Sequence, residues 1–435
     1  MSHLKDLTPQ AFCDFLRQHG IRRYYFVWDE VQKRLVPSHP ALAELAEFIQ
    51  GDKRDFYRHE GLFGQIAPKS GVLQTATVHR TCRGQAAGGV RFWTYDTVED
   101  VLRDGLRLSR GMTHKNALAG LWWGGGKGVM AHATGKDSND PAIRRTIYEE
   151  YGEFISSLLG CYVTAEDVGT SIDDMCAIFS KTRFTTSIPA ELGGAGNPSV
   201  PTALGVVRGM EAALAHLGMG PIEGKKIAVM GLGNVGTAML GYLHERKVGK
   251  IVATDINPGR EAELRKMYPG LDLTVRVVDR HDMSILAEPA DIVSPCATGA
   301  ILGPKTIPTI KAPIVCGSAN NQLADPNADD LLLAERKLVY VPDFLVNRMG
   351  IVACADEQYG YVDNDPAFEA HLGNEWDNSI FNLTRKILAE ADAKKSTSHR
   401  VALDLAEQRS LEPHPITGHR AKLIIKTLVA RGWAK

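Results

Sequence analysis

Lys226-Ile-Ala-Val-Met-Gly-Leu-Gly-Asn-Val-Gly236 is the stretch that decides the fold, because a short apolar run leads directly into three spaced glycines. The order apolar strand, Gly-x-Gly-x-x-Gly and apolar helix is the pattern that opens a dinucleotide-binding βαβ unit. Gly231 then allows the tight turn, Gly233 the approach of a pyrophosphate, and Gly236 the close packing of helix on strand. The helix N-terminus faces the anion. The segment predicts five cofactor-binding residues: Gly231, Gly233, Asn234, Val235 and Gly236.

A carboxylate at the end of the next apolar strand supports this prediction. Residues 250–254 form that strand, and Asp255 follows it, 24 residues after Gly231. Such a carboxylate accepts hydrogen bonds from the adenosine ribose and repels a 2′-phosphate, so it favours NAD over NADP. Further apolar strands run into small or polar residues, at 274–278, 292–293 and 313–316. We therefore expect a parallel Rossmann sheet over residues 201–346; the alternative is a glycine turn without a ligand.

Length and composition bound the class of protein. The chain of 435 residues is long enough for two or three domains, and 44% apolar with 23% charged residues is ordinary for a globular protein. A formal net charge of −1 disfavours nucleic acid and anionic membranes as partners. The seven cysteines are scattered, and neither they nor the histidines show ligand spacing, so we expect a cytoplasmic protein without a metal. We find neither a signal peptide nor a membrane span in the sequence.

A second glycine-rich stretch, Leu121-Trp-Trp-Gly-Gly-Gly-Lys-Gly-Val-Met130, surrounds Lys127 with glycines and apolar residues. In a dry setting an ammonium group loses hydration, which lowers its pKa toward the range useful for proton transfer. The alternative is a glycine-rich loop with a solvated lysine. A phosphate-binding loop is excluded, because that motif needs glycine where Leu121 stands and serine or threonine where Gly128 stands.

The chain divides into four parts by pattern. Residues 1–58 form an extension for packing or oligomerisation, and residues 59–200 the first part of a substrate domain. Three glycines and two prolines at 191–201 suit a domain boundary before the Rossmann domain at 201–346. Residues 347–435 are expected to return to the substrate domain as helices.

Eight short motifs follow in order along the chain. They are Gly-Gly at 88–89, Gly-Met-Thr-x-Lys-Asn-Ala at 111–117, Gly-Gly-Gly-Lys-Gly at 124–128, Thr-Ala-Glu-Asp-Val-Gly-Thr at 164–170, Gly-Asn-Pro-Ser at 196–199, Gly-Leu-Gly-Asn-Val-Gly at 231–236, Gly-Ser-Ala-Asn-Asn-Gln-Leu at 317–323 and Ala-Asp-Glu at 355–357. Together they resemble the glutamate/leucine/phenylalanine/valine dehydrogenase family, most closely its leucine dehydrogenase branch. The resemblance implies a two-domain α/β amino acid dehydrogenase, with an N-terminal α/β substrate domain plus a Rossmann NAD-binding domain. It also implies a homo-oligomer that reversibly converts an L-amino acid and NAD to a 2-oxo acid and ammonia.

The resemblance also implies roles for single residues. Lys127 matches the catalytic lysine, Asp167 the catalytic aspartate, and Lys115 the lysine that binds the substrate carboxylate. An ammonium can hold a carboxylate, a lysine with lowered pKa can activate water, and a carboxylate can move protons to and from an amine. Substrate contacts are implied for Gly88, Gly89 and Asn347, and cofactor contacts for Thr202, Ala297 and Asn320.

The sequence departs from the family in ways that bear on the substrate. Glutamate-specific members carry a lysine where this chain has Ala87, so glutamate is an unfavourable substrate. The side-chain pocket maps to small or apolar residues, which favours a branched-chain or aromatic amino acid: Ala87, Ala165, Ile351 and Cys354. Arg348 and Met349 replace smaller residues. We expect Arg348 to face solvent or the extension; the alternative is contact with an acidic or polar substrate side chain. Trp122-Trp123 either packs in the core or forms a wall of the pocket.

Two other functions are compatible with the fingerprint. One is an NAD-dependent dehydrogenase of a hydroxy acid, which usually needs a histidine–carboxylate pair and an arginine clamp. The other is a non-catalytic NAD-binding regulator on the same fold, for which the altered 348–349 segment is the argument.

Overall fold

The computed structural model describes residues 3–132, 138–360, 362 and 364–435. The chain forms two compact units: unit 1 comprises residues 1–197, 354–361 and 406–435, and unit 2 comprises residues 198–353 and 362–405. None of the helices in these described residues has the length and apolar character that crossing a bilayer requires.

Strands and helices alternate along most of the chain. The strands are β1 Arg23–Asp29, β2 Arg34–Pro37, β3 Gly61–Ile66, β4 Leu73–Arg80, β5 Ala86–Ala87, β6 Val90–Trp93, β7 Gly124–Ala131, β8 Tyr162–Val163, β9 Lys226–Met230, β10 Lys250–Asp255, β11 Leu273–Val277, β12 Ile292–Pro295, β13 Ile314–Val315 and β14 Val339–Tyr340. The helices are α1 Pro9–Gln18, α2 Ala43–Gly51, α3 Val98–Ala119, α4 Pro141–Ser157, α5 Ile172–Phe179, α6 Ser199–His216, α7 Asn234–Glu245, α8 Arg260–Met267, α9 Asp329–Glu335, α10 Asp343–Val346, α11 Met349–Glu357, α12 Pro366–Ala370, α13 Ile380–Lys394, α14 Ser398–Ser410 and α15 Arg420–Ala430.

A mixed sheet forms the centre of unit 1. Its strand order is β2-β1-β3-β4-β7-β5-β8, and β6 also pairs with β7. Strand β7 is antiparallel to β4 and parallel to β5 and β6. Successive side chains on a strand face opposite sides, so Val129 packs in the core below α1–α3, and Met130 packs in the core below α4, α5 and α15.

The glycine-rich stretch around Lys127 is a buried strand rather than a loop, because both neighbouring strands and the helix α3 lie too close for side chains. A Cβ on Gly125 would lie 2.0 Å from the hydroxyl oxygen of Thr113 on α3. On the other face, a Cβ on Gly128 would lie 2.1 Å from the hydroxyl oxygen of Tyr151. The glycines are therefore required by close packing, and they bring Lys127 into the interior.

Helix α3 spans 22 residues and carries one of the predicted substrate-binding residues. It begins at a capping box in which the Thr97 side chain accepts from the Asp100 backbone N–H, and it ends at Gly120 in the left-handed conformation, with φ +80°. The helix therefore includes the segment at 111–119, so that Lys115 lies on α3.

A parallel sheet forms the centre of unit 2. Its strand order is β11-β10-β9-β12-β13-β14, and every neighbouring pair is parallel. The order reverses direction beside β9, which is the arrangement of a Rossmann fold. The prediction of an α/β fold with a Rossmann sheet is confirmed.

The compact units differ from the expected domain bounds at both ends of the chain. The N-terminal residues share the unit 1 sheet, because β1 pairs with β3 from Val27–Gly61 to Arg23–Gln65. Residues 362–405 belong to unit 2, where α13 packs along α6, and only residues 354–361 and 406–435 belong to unit 1. The apolar face of α13 is buried at Leu383, Ile387 and Leu388, and that packing places it in unit 2.

Candidate functional site

A buried ion pair joins Lys127 and Asp167 in unit 1. Lys127 lies on β7 and is 4% exposed, and its Nζ is 2.7 Å from Oδ2 of Asp167. Asp167 lies in the turn after β8, where its backbone N–H donates to the Thr170 hydroxyl at 2.8 Å. Gly89 permits this approach, since a Cβ there would lie 2.8 Å from Cβ of Asp167. The structure thus brings together the two residues predicted to be catalytic.

The ion pair continues into a chain of alternating charges. Arg91 Nε donates to Oδ2 of Asp167 at 3.1 Å, and its Nη1 donates to Oδ2 of Asp104 at 2.9 Å. The Tyr95 hydroxyl donates to the same Asp104 oxygen at 2.7 Å. Each carboxylate therefore has a cation beside it, which is the condition for keeping charges in a desolvated site.

Burial and neighbouring charges shift the pKa values of this pair. Burial lowers the pKa of Lys127 from its ordinary value of 10.5, and the attraction of Asp167 only partly offsets that effect. Burial also disfavours the ionised form of Asp167, but the charges of Lys127 and Arg91 outweigh it and lower the pKa of Asp167 to about 2. A buried lysine with a lowered pKa beside an ionised carboxylate can accept and return a proton.

Arg91 and Asp104 were not identified from the sequence. Arg91 lies two residues after Gly89 and donates to Asp104 on α3. Asp104 lies on the face of α3 toward the sheet, next to Gly105, which approaches Thr77 of β4. A charged residue in the otherwise apolar face of an amphipathic helix was the available signal for Asp104.

The other predicted substrate residues of unit 1 surround these strands. Gly88 lies against strand β7, since a Cβ there would be 2.0 Å from the carbonyl oxygen of Gly126. Lys115 is half-buried on α3. The small predicted pocket residues of this unit are all buried: Ala87, Ala165 and Cys354. Cys354 Sγ is also within 3.3 Å of the Ser187 hydroxyl.

In unit 2 the glycine fingerprint has the geometry that an anion site needs. Gly231 has φ +92°, and its Cβ position is 2.7 Å from Cβ of Ala297. Gly233 caps the 12-residue helix α7, and a Cβ on it would have no neighbour within 4 Å. A Cβ on Gly236 would lie 2.3 Å from the carbonyl oxygen of Gly231, so helix and turn pack closely there. The helix N-terminus, with Asn234 exposed and Val235 half-buried, can offer backbone N–H groups to a pyrophosphate.

Asp255 stands at the end of β10 beside this turn. Its Oδ2 accepts from the backbone N–H of Leu232 at 2.8 Å, and its Oδ1 accepts from that of Asn257 at 2.8 Å. The carboxylate is thus fixed at the end of the strand, where it also holds the fingerprint turn.

The remaining predicted residues of unit 2 follow strand ends or begin helices. Asn320 is exposed after β13, and its Oδ1 accepts from Nδ2 of Asn347 at 2.8 Å. Ala297 is exposed after β12, Ile351 is buried on α11, and the Thr202 hydroxyl on α6 donates to the Pro198 carbonyl oxygen at 2.7 Å.

Two expectations about bulky residues are wrong or incomplete. Arg348 faces neither solvent nor the N-terminal residues: it is fully buried in unit 2, where its guanidinium donates to the carbonyl oxygen of Asn378 and lies 3.2 Å from Nδ1 of His371. Trp122 is 38% exposed, and the Arg83 guanidinium stacks 4.1 Å from its ring centre. Trp122 therefore lies at the surface, stacked on the buried Arg83, rather than in the core.

The parallel sheet with its glycine fingerprint, together with the buried lysine–aspartate pair, defines an α/β dehydrogenase. A sequence model described as "Glu/Leu/Phe/Val dehydrogenase, dimerisation domain" matches residues 70–184. The leucine dehydrogenase of Geobacillus stearothermophilus is 43% identical over 342 residues, covering 78% of this chain and 88% of that protein. The chain belongs to the Glu/Leu/Phe/Val dehydrogenase family, as its motifs predict, and it is an amino acid dehydrogenase acting on CH–NH2 groups.

Two other relatives have different names. The valine dehydrogenase of Streptomyces virginiae is 38% identical over 343 residues, covering 78% of this chain and 90% of that protein. The crystal structure of L-tryptophan dehydrogenase from Nostoc punctiforme superposes with a TM-score of 0.65 at 32% identity, covering 81% of this chain and 96% of that one.

Proposed function

We propose that this protein catalyses the NAD-dependent, reversible oxidative deamination of an L-amino acid with an apolar side chain, giving the 2-oxo acid and ammonia. The observation that carries the proposal is the buried contact of 2.7 Å between Lys127 Nζ and Asp167 Oδ2. A hydroxy acid dehydrogenase would need a histidine at this place, and the charged groups of the described site are lysine, arginine and aspartate.

The proposed mechanism assigns the proton transfers to that pair. When bound, NAD supplies the acceptor for the hydride that leaves the substrate α-carbon. Neutral Lys127 accepts a proton from the water that attacks the resulting imine carbon, and its ammonium form then stabilises the carbinolamine oxygen. Asp167 passes a proton to the departing amine, and the 2.7 Å contact lets the proton move between the two residues. Lys115 holds the substrate carboxylate.

NAD is the proposed cofactor because the residues present fit it. The open space at Gly233 and the exposed N-terminus of α7 accommodate a pyrophosphate, and Asp255 supplies the carboxylate for the ribose hydroxyls. The proposed cofactor contacts also include five other residues: Asn234, Val235, Thr202, Ala297 and Asn320.

The substrate class follows from the proposed pocket and from the named relatives. Ala87, Ala165 and Cys354 are buried in unit 1, and Ile351 is buried in unit 2. All four are small or apolar, which suits an apolar substrate side chain. Leucine, valine and tryptophan dehydrogenases are among the relatives. Gly88, Gly89 and Asn347 supply the proposed polar contacts to the substrate.

We also propose a homo-oligomer in the cytoplasm. The family description of residues 70–184 as a dimerisation domain supports self-association. The seven cysteines are all free, as a reducing compartment would keep them.

A spectrophotometric screen of NAD reduction with each L-amino acid at alkaline pH tests the proposal. We expect activity with branched-chain or aromatic substrates, formation of ammonia, and loss of turnover in Lys127→Met, which keeps the volume of a buried side chain. Undiminished activity in Lys127→Met would contradict the mechanism. NAD binding without turnover of any amino acid would indicate a regulator, and NADH oxidation by 2-oxo acids without ammonia would indicate a hydroxy acid dehydrogenase.

A further inference from the structure

Three side chains with metal-ligating atoms meet in unit 1, in a cluster that the deamination mechanism does not use. Glu60 directly precedes β3, Cys82 follows β4, and His419 directly precedes α15. A carboxylate oxygen, the thiol sulfur and an imidazole nitrogen all lie within 4.8 Å of one another. Cys82 is five residues beyond Thr77, the residue that pairs with Lys127 across the sheet.

The distances in the cluster are close to those of a coordination shell. His419 Nε2 is 3.1 Å from Oε1 of Glu60, and His419 Nδ1 is 4.0 Å from Sγ of Cys82. Bond lengths of about 2.3 Å to sulfur and about 2.0 Å to nitrogen place tetrahedral donors about 3.5 Å apart. The two contacts use different ring nitrogens, so one ion requires two small movements. Cys82 must move by about half an ångström toward Nδ1, and a carboxylate oxygen of Glu60 must turn toward the same nitrogen.

The residues around the cluster hold two of the donors in place. The backbone N–H of Thr81 donates to Oε1 of Glu60 at 3.1 Å, and the Thr81 hydroxyl donates to its Oε2. The Thr81 hydroxyl oxygen also lies 2.9 Å from Nε2 of His419. Hydrogen bonds of this kind orient ligands and raise metal affinity.

We propose that Glu60, Cys82 and His419 bind one divalent cation of the zinc class. Thiolate, imidazole and carboxylate are the donors that zinc prefers, and three such ligands leave a fourth position for water. All three residues are partly exposed, so an ion can enter. The bound ion joins the segment before α15 to the sheet at the ends of β3 and β4. The prediction of no metal from the sequence overlooked this set, because His419 is 337 positions from Cys82.

Titration of the metal-free full-length protein with Co²⁺ tests the proposal. Cobalt bound to a thiolate gives a charge-transfer absorption band, so the spectrum reports on Cys82 directly. We expect one Co²⁺ per chain, displacement by Zn²⁺, and a melting temperature that rises with Zn²⁺. In Cys82→Ser the band should disappear, and affinity should fall by at least about 100-fold.

Two further variants keep the test independent of folding. Cys176→Ser is the matched control, because Cys176 is also a partly exposed free cysteine but lies on α5; it should bind Co²⁺ like the wild type. His419→Gln should bind at least about 100-fold more weakly and gives a second variant if Cys82→Ser does not fold. Equal binding by Cys82→Ser and the wild type would overturn the proposal. So would rapid alkylation of Cys82 by iodoacetamide that Zn²⁺ does not slow, since this would indicate an activated thiol instead.

Discussion

Replacing Asp167 by asparagine removes one negative charge from the interior and leaves the shape of the side chain almost unchanged. Lys127 Nζ lies 2.7 Å and Arg91 Nε 3.1 Å from Oδ2 of this carboxylate, so both cations lose their shared partner. The neutral amide cannot compensate two buried positive charges. We expect Asp167→Asn to lose both stability and turnover.

The expected loss of stability follows from the pKa and from the burial of the pair. A lowering from the ordinary 3.8 to about 2 corresponds to about 2.4 kcal/mol of stabilisation by the ionised carboxylate. Because the folded-state pKa is the lower one, this stabilisation is present above pH 3.8 and is lost as the pH falls toward 2. Breaking a buried ion pair costs about 3–5 kcal/mol. We therefore expect the free energy of unfolding to fall by about 2–5 kcal/mol at neutral pH.

The expected loss of turnover follows from the proton transfer assigned to Asp167. Removing a general acid or base lowers kcat by about 10²–10⁴-fold. Without the carboxylate, burial and Arg91 lower the pKa of Lys127 further, so the residual activity should reach its maximum at a lower pH. Steady-state NAD reduction over a range of pH, together with urea unfolding, measures both effects.

Asp104→Asn is the matched control. Asp104 also accepts from Arg91, at 2.9 Å, whereas the carboxylate in contact with Lys127 is that of Asp167. This variant should lose stability while kcat falls less than about tenfold. Its pH profile should shift less than that of Asp167→Asn, because Asp104 raises the pKa of Lys127 less than Asp167 does. Equal loss of kcat in both variants, or an Asp167→Asn enzyme within about threefold of the wild type, would refute the assignment of proton transfer to Asp167.

Three other results are expected. Asp255→Ser should improve the use of NADP relative to NAD by at least about tenfold in kcat/KM, since it removes the charge that repels a 2′-phosphate. An unchanged preference for NAD would exclude Asp255 as the ribose ligand. Gly128→Ala should lower the free energy of unfolding by about 1–3 kcal/mol or more, because its Cβ would lie 2.1 Å from Tyr151. Gly111→Ala, with open space on helix α3, should raise the free energy of unfolding by up to about 1 kcal/mol. Similar urea midpoints for the two variants would contradict the packing argument. Burial lowers the pKa of His59 and of His371 to about 3. The unfolded state therefore binds protons at a higher pH than the folded state, and the free energy of unfolding should decrease as the pH falls below about 6.5. A flat stability profile between pH 6.5 and 4 would show that these histidines are not buried in the neutral form.

The Rossmann unit was predictable from the sequence because its determinants are local. Strand, glycine turn and helix follow one another within residues 226–245. Gly231 and Gly236 have steric reasons in the structure, whereas Gly233 leaves open space at the helix N-terminus. The acidic residue at the end of the next strand is equally local. The boundaries of the units were less predictable, because the position of α13 on α6 depends on packing between segments far apart in sequence.

The site in unit 1 was predictable only in part. The pattern around Lys127 indicated a lysine in a dry setting, but its glycines suggested a loop, because nothing in the stretch itself shows that α3 and Tyr151 will press on both faces of a strand. Arg91 and Asp104 were not identified for the same reason, since they interact through a hydrogen bond between residues 13 positions apart in the sequence. The proposed metal ligands Glu60, Cys82 and His419 are separated still further in the sequence, so their proximity could not be predicted from it.

The balance of charge around Lys127 explains why the substrate carboxylate needs a separate cation. Protonated Lys127 and Arg91 carry two positive charges, and Asp167 and Asp104 carry two negative ones, so the chain of charges is neutral. Both cations are already committed to buried carboxylates, and turning either toward a substrate would leave a carboxylate uncompensated. When Lys127 gives up its proton to become a base, the chain becomes negative and would repel a substrate carboxylate further. Lys115, on the helix that also carries Asp104, therefore has to supply the positive charge in the proposed mechanism, and proton transfer and carboxylate binding fall to different lysines.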